Sequence, residues 1–78
     1  MGASNDFSTG EVDFLFGNNL VKRRDEIGMS AYELAKRVNV SPAMICLIEK
    51  NRKMPGVYLA KDIADALECK LDDLFKEE

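Results

Sequence analysis

The sequence predicts an all-α fold of five helices without strands, and three of its features carry that prediction. After the first eight residues, apolar side chains recur at three- and four-residue spacing in run after run. Serine marks the helix starts, followed three residues later by glutamate at Ser8 and Ser30 and directly by proline at Ser41. Glycine or asparagine stands where each of the first three runs must stop, at Gly28, Asn39 and Asn51.

Residues 1–8 read as a disordered tail, because Met-Gly-Ala-Ser-Asn-Asp has little to bury and nothing to pair with, and a single domain fills 9–78. The first helix starts between residues 9 and 14, behind Ser8 and Glu11, and reaches about residue 27. Val12, Leu15, Phe16, Leu20 and Ile27 lie close to one of its faces. Gly17 inside it argues against the earlier start, since a helix-interior glycine costs about 1 kcal/mol relative to alanine.

Gly28 ends that helix, and Ser30 with Glu33 opens a second over Ala31–Val38, with Leu34, Ala35 and Val38 facing inward. Asn39 suits a left-handed turn, and Val40 follows as an apolar anchor. A third helix begins at Ser41-Pro42, where the missing proline N–H costs nothing, and runs to about Lys50. Asn51 supplies a further left-handed stop, and Arg52-Lys53-Met54-Pro55-Gly56 cannot continue the helix. Val57, Ala60, Ile63, Ala64 and Leu67 then have the spacing of a fourth helix, and Leu71, Leu74 and Phe75 predict a short fifth.

A chain of 78 residues is about half a typical domain and holds one compact core, too little for an enzyme's usual scaffold and cleft. At this size folding buries only roughly 60–65% of the unfolded surface, which favours added stability from a homodimer. The chain has no histidine and only two cysteines, Cys46 and Cys69, so neither a structural zinc nor any other metal site is expected. The two thiols should behave as small apolar side chains rather than as a disulfide. Without histidine, a glycine-rich phosphate loop or a nucleophile with its base, the sequence indicates no enzyme and no cofactor, and nothing in it points to a small-molecule ligand. No run approaches the roughly 18 apolar residues of a membrane span and no secretory signal opens the chain, so the cytoplasm is the expected location.

The net charge of −3 argues against nucleic acid only until it is divided along the chain. Residues 1–19 carry three acids and no cation. Residues 20–53 carry eight Lys/Arg against four acids, and residues 54–78 carry three Lys against seven acids. A basic segment lies between two acidic ones.

The second and third helices, over about 31–49, are separated by Asn39-Val40-Ser41 and have apolar residues on facing sides, which is helix-turn-helix geometry. Further residues join them in a longer pattern: Phe16-Gly17 with Leu20 and Arg24, Gly28-Met29-Ser30, Glu33-Leu34-Ala35, Val40-Ser41, Ile45 with Ile48-Glu49, and Pro55. It closes with Ile63-Ala64, Ala66-Leu67 and Leu71-Asp-Asp-Leu-Phe75. In this pattern the chain resembles the phage repressor and Cro family of helix-turn-helix domains, the XRE family, over about residues 16–75. The glycines usual in that family at positions 39 and 51 are asparagines here, and asparagine tolerates the same backbone.

The resemblance implies a lambda-repressor-like fold and a transcriptional regulator, bacterial or phage in setting, that binds double-stranded DNA. It makes the third helix, about 42–50, the recognition helix, with Pro42, Ala43, Met44, Cys46 and Leu47 toward the bases. These five lack strong hydrogen-bonding groups, which leaves contact with thymine methyls and the sensing of DNA shape. The phosphate contacts implied are Ser30 and Ala31 at the start of the second helix and Lys50, Asn51, Arg52 and Lys53 after the third, Asn51 through its amide or its backbone N–H. Arg24 and Glu49 occupy positions that pair as a partly buried salt bridge, whereas Lys22 and Arg23 are expected to face solvent. The dimer interface is expected around Leu71, Leu74 and Phe75, or through Phe7 and Phe14. A protein-interaction module, antitoxin-like or an adaptor, is the alternative that the apolar Met44 and Leu47 keep open.

Overall fold

The computed structural model describes residues 16–76, and every regular element among them is helical. Helix α1 occupies residues 16–26 of that range. The tail over 1–8, the Ser8/Glu11 start, Phe7 and Phe14 lie outside the described residues. Helix α2 spans Ala31–Arg37, α3 Pro42–Glu49 and α4 Val57–Ala66, and a 3₁₀ helix covers Leu71–Phe75. The expected fifth α-helix is therefore corrected to a 3₁₀ turn, leaving four α-helices among the described residues. Only five residues separate the extended Lys70 and Lys76, a length at which the tighter i to i+3 winding competes well.

The serines act as anticipated. Ser30 Oγ accepts the Glu33 N–H at 3.0 Å, and Ser41 Oγ accepts the Met44 N–H at 3.2 Å. The Glu33 carboxylate turns instead to Arg37, 3.4 Å away. All four α-helices also end alike. A left-handed residue follows each C-cap: Gly28 (φ 70°), Asn39 (61°), Asn51 (62°) and Glu68 (57°). The next N–H reaches back into the last turn, from Met29 to Arg24 O, Val40 to Ala35 O, Arg52 to Leu47 O and Cys69 to Ala64 O, at 2.9–3.0 Å.

Phe16, Leu20, Leu34, Ile45, Ile48, Ile63 and Leu67 are wholly buried and draw all four helices into one cluster. Val57, which opens the apolar spacing of α4, is 73% exposed. It is the first residue of that helix, and the buried stripe begins one turn later with Ala60, Ile63 and Ala64. Burial pushes the Cys69 thiol up, Arg23 opposing and Asp73 reinforcing the shift, and both cysteines are free thiols.

Polar side chains of α1 tie down the ends of the other elements. Asn19 donates to Leu74 O at 3.0 Å and to Lys76 O at 2.8 Å. Arg23 does not face solvent as expected: its Nε donates to Leu67 O at 2.9 Å and its Nη2 to Glu68 O at 3.1 Å, satisfying carbonyls at the end of α4. The closing 3₁₀ turn is held by the Asp73 carboxylate, which accepts from the Lys70 N–H at 3.1 Å and meets Lys76 at 3.0 Å. These partners keep its pKa below the usual range. Leu74 is buried, and the Phe75 ring lies 5.1 Å from that of Phe16. The proposed interface residues Leu74 and Phe75 thus belong mostly to the chain's own core. No helix of the described residues is long and apolar enough to cross a membrane.

Candidate nucleic-acid interface

The turn Asn39-Val40-Ser41 sets α3 against α2, and α3 presents two unlike faces as a result. Ile45 and Ile48 fill the inner face completely. The residues between them point out: Pro42, Ala43 and Cys46 are exposed, Leu47 is 40% exposed, and Met44 is half-buried with its side chain against the core. All five residues expected at the DNA bases are thus reachable from solvent, Met44 only in part. Ser30 is exposed and Ala31 half-buried at the start of α2.

The salt bridge beneath this surface is formed. Arg24 Nε lies 2.8 Å from Glu49 Oε2 and Nη2 lies 3.4 Å from Oε1, while Nη1 donates to Met29 O at 2.8 Å. The two side chains are 15% and 13% exposed. The bridge joins α1 to the last residue of α3, directly before the basic loop.

That loop grows out of the α3 terminus. Lys50 is the C-cap, Asn51 the left-handed residue, Arg52 supplies the returning N–H, and Lys53 follows. An apolar residue usually stands at the position of Arg52, packing back on the helix. Met29, Val40 and Cys69 do so at the other three helix ends, buried or half-buried against the core, whereas Arg52 is exposed. Lys50, Arg52 and Lys53 are all exposed and form no ion pair among the described residues. By contrast, Arg23, Arg24 and Arg37 each engage a carboxylate.

Asn51 differs from the expectation in one respect. Its backbone N–H donates to Ile48 O at 3.0 Å, so that group is engaged within the cap. Its Oδ1 is buried and accepts no hydrogen bond from any described residue. Oδ1 lies over Gly17, at the place where a side chain on that glycine would begin. The sequence did not reveal the contact, because Gly17 registers only as a weak helix former. Arg23 was missed for a similar reason: nothing in its spacing shows that the end of α4 will lie beside it.

A short helix, a three-residue turn and a second helix with an open outer face define a helix-turn-helix protein. Residues 20–74 match the Helix-turn-helix family model, and the chain belongs to this XRE-type family of transcriptional regulators. An uncharacterized HTH-type transcriptional regulator of Methanothermobacter thermautotrophicus is 40% identical over 55 residues, 69% of this chain and 80% of that one. Another, of Archaeoglobus fulgidus, is 38% identical over 52 residues, 67% and 74% of the two chains. Among solved structures, the clp gene regulator ClgR of Corynebacterium glutamicum superposes with a TM-score of 0.78 at 27% identity, covering 81% of this chain and 67% of that chain. The sequence relatives are archaeal and the structural one bacterial, a wider setting than bacteria and phages alone.

Proposed function

We propose that this protein is a sequence-specific, Cro-type DNA-binding regulator that works in the cytoplasm as a homodimer, with α3 as the recognition helix in the major groove. The observation that carries this is the loop of Lys50, Arg52 and Lys53, exposed and without ion-pair partners among the described residues, beside the outer face of α3. Three adjacent cations repel one another, and a run of phosphates relieves that repulsion. The apolar alternative at the position of Arg52 would have packed on α3, so the arginine is placed at the expense of a local packing preference.

In this arrangement Lys50, Arg52, Lys53 and the Asn51 side-chain amide hold one stretch of phosphates. Ser30 and Ala31, with the open first turn of α2, meet another. Pro42, Ala43, Met44, Cys46 and Leu47 then face the base edges, where they favour thymine methyls and a groove of matching shape. A dimer sets two such helices about one turn of DNA apart on a pseudo-palindromic site.

The test is selection of genomic DNA fragments by the purified protein at low salt, repeated with Arg52→Glu and Lys53→Glu together. The expected result is enrichment of a short two-fold symmetric site that the double variant no longer selects. Affinity for it should fall about a thousandfold between ~50 and ~200 mM salt, as about six clamped phosphates regain counterions. Equal, weak retention of all fragments by both proteins would overturn the proposal. A second function, docking of a protein partner, is favoured by one observation, the exposure of Leu47, Met54, Val57 and Tyr58. It predicts that Leu47→Asp abolishes capture of that partner while the double charge reversal does not.

A further inference from the structure

We propose that Gly17 is a positioning residue for the phosphate-binding loop, a role that rests on the DNA-binding function proposed above. A Cβ built on Gly17 would lie 2.7 Å from Ile48 O and 2.9 Å from Asn51 Cγ, and closer still to Asn51 Oδ1. Real Cβ atoms do not approach other atoms so closely, and Ile48 O is backbone near the end of α3. A side chain at position 17 therefore forces the end of α3 and its loop away from α1.

Gly17 is buried, and the neighbouring Phe16 and Leu20 are fully enclosed, so α1 has little freedom to retreat. The loop is the part able to move: Lys50, Arg52, Lys53 and Met54 are exposed. The absent side chain thus sets how deeply the α3 terminus seats on α1. Asn51 completes the seat, its Oδ1 against the Gly17 Cα–H, a weak acceptor contact for an oxygen with no hydrogen bond from the described residues. The glycine is costly to the helix that carries it, and the gain is a defined height for three cations over the DNA backbone.

The experiment measures DNA affinity against salt concentration for the wild-type protein, Gly17→Ala, Asn51→Gly and the double variant, each at a temperature where circular dichroism shows it folded. Mere destabilisation lowers the active fraction and leaves the slope of log K on log salt unchanged. A displaced loop makes the slope shallower, by about 0.9 for each phosphate that is no longer neutralised. Gly17→Ala should show the shallower slope, with affinity at least about tenfold lower at ~100 mM salt. Asn51→Gly removes Oδ1 and Cγ while keeping the left-handed backbone, so the double variant, read against Asn51→Gly alone, should recover part of the slope.

A steep wild-type slope with the same slope in Gly17→Ala overturns the positioning role alone. A flat wild-type response overturns the DNA-binding function and this inference with it. If Gly17→Ala does not fold, the double variant is judged by the same slopes. Failure of both to fold assigns Gly17 to the core and also overturns the role.

Discussion

At the scale of single residues, Arg24 ties three parts of the fold together. It holds both carboxylate oxygens of Glu49 and the Met29 carbonyl, joining α1, the α1–α2 turn and the end of α3. Both side chains of the pair are largely removed from water, so neither partner is easily lost alone. Arg24→Ala leaves the Glu49 carboxylate confined without a counter-ion and frees the Met29 carbonyl. We expect a loss of about 2–3 kcal/mol, or roughly 10–20 °C in melting temperature for a domain of this size. Glu49→Gln in the same chain should restore part of it. Thermal unfolding checks both, and an unchanged melting temperature in Arg24→Ala would refute the assignment. The neighbouring Arg23 shows how little the residue type reveals: one position along α1, the same side chain caps α4 instead.

At the scale of elements, what repeats is the way the helices stop. Gly28, Asn39 and Asn51 are residues that enter the left-handed region at low cost, but Glu68 is not. A side chain in that conformation costs roughly 1–2 kcal/mol, part of which glycine would return as chain entropy in the unfolded state. Glu68→Gly should therefore stabilise the protein by about 0.5–1 kcal/mol, since its side chain is exposed and Arg23 grips only the carbonyl, which glycine retains. Chemical denaturation measures this directly, and a destabilised variant would show that the Glu68 side chain has a role its exposure conceals. The same cap geometry serves different ends along the chain. After α2 it aims α3, and after α3 it delivers a cluster of cations.

For the whole molecule, charge and apolar surface are divided between regions. Three exposed cations, Lys50, Arg52 and Lys53, gather at the end of α3, while acids are concentrated in α4 and the closing turn. With Leu74 buried and Phe75 half-buried against the core, the large apolar side chains left for a second copy among the described residues include Met54 in the loop after α3 and Val57 and Tyr58 in the first turn of α4. We expect the protein to sediment as a dimer at micromolar concentration, and Val57→Asp with Tyr58→Asp to yield a folded monomer. A dimer that survives both substitutions would move the interface elsewhere on the chain.

The helices, their order and most of their ends were legible in the sequence, because capping serines, stop residues and apolar periodicity are local and act within a few residues. The salt bridge of Arg24 with Glu49 and the basic loop followed from the family pattern, since a shared fold brings the same positions together. The tertiary structure alone decided that Val57 faces outward, that Arg23 caps α4, that the last segment winds as a 3₁₀ turn, and that Gly17 is the seat of Asn51. Each depends on which residue distant in sequence comes to lie alongside. Local spacing carries no record of that, because packing distances are set only once every helix has found its place in the core.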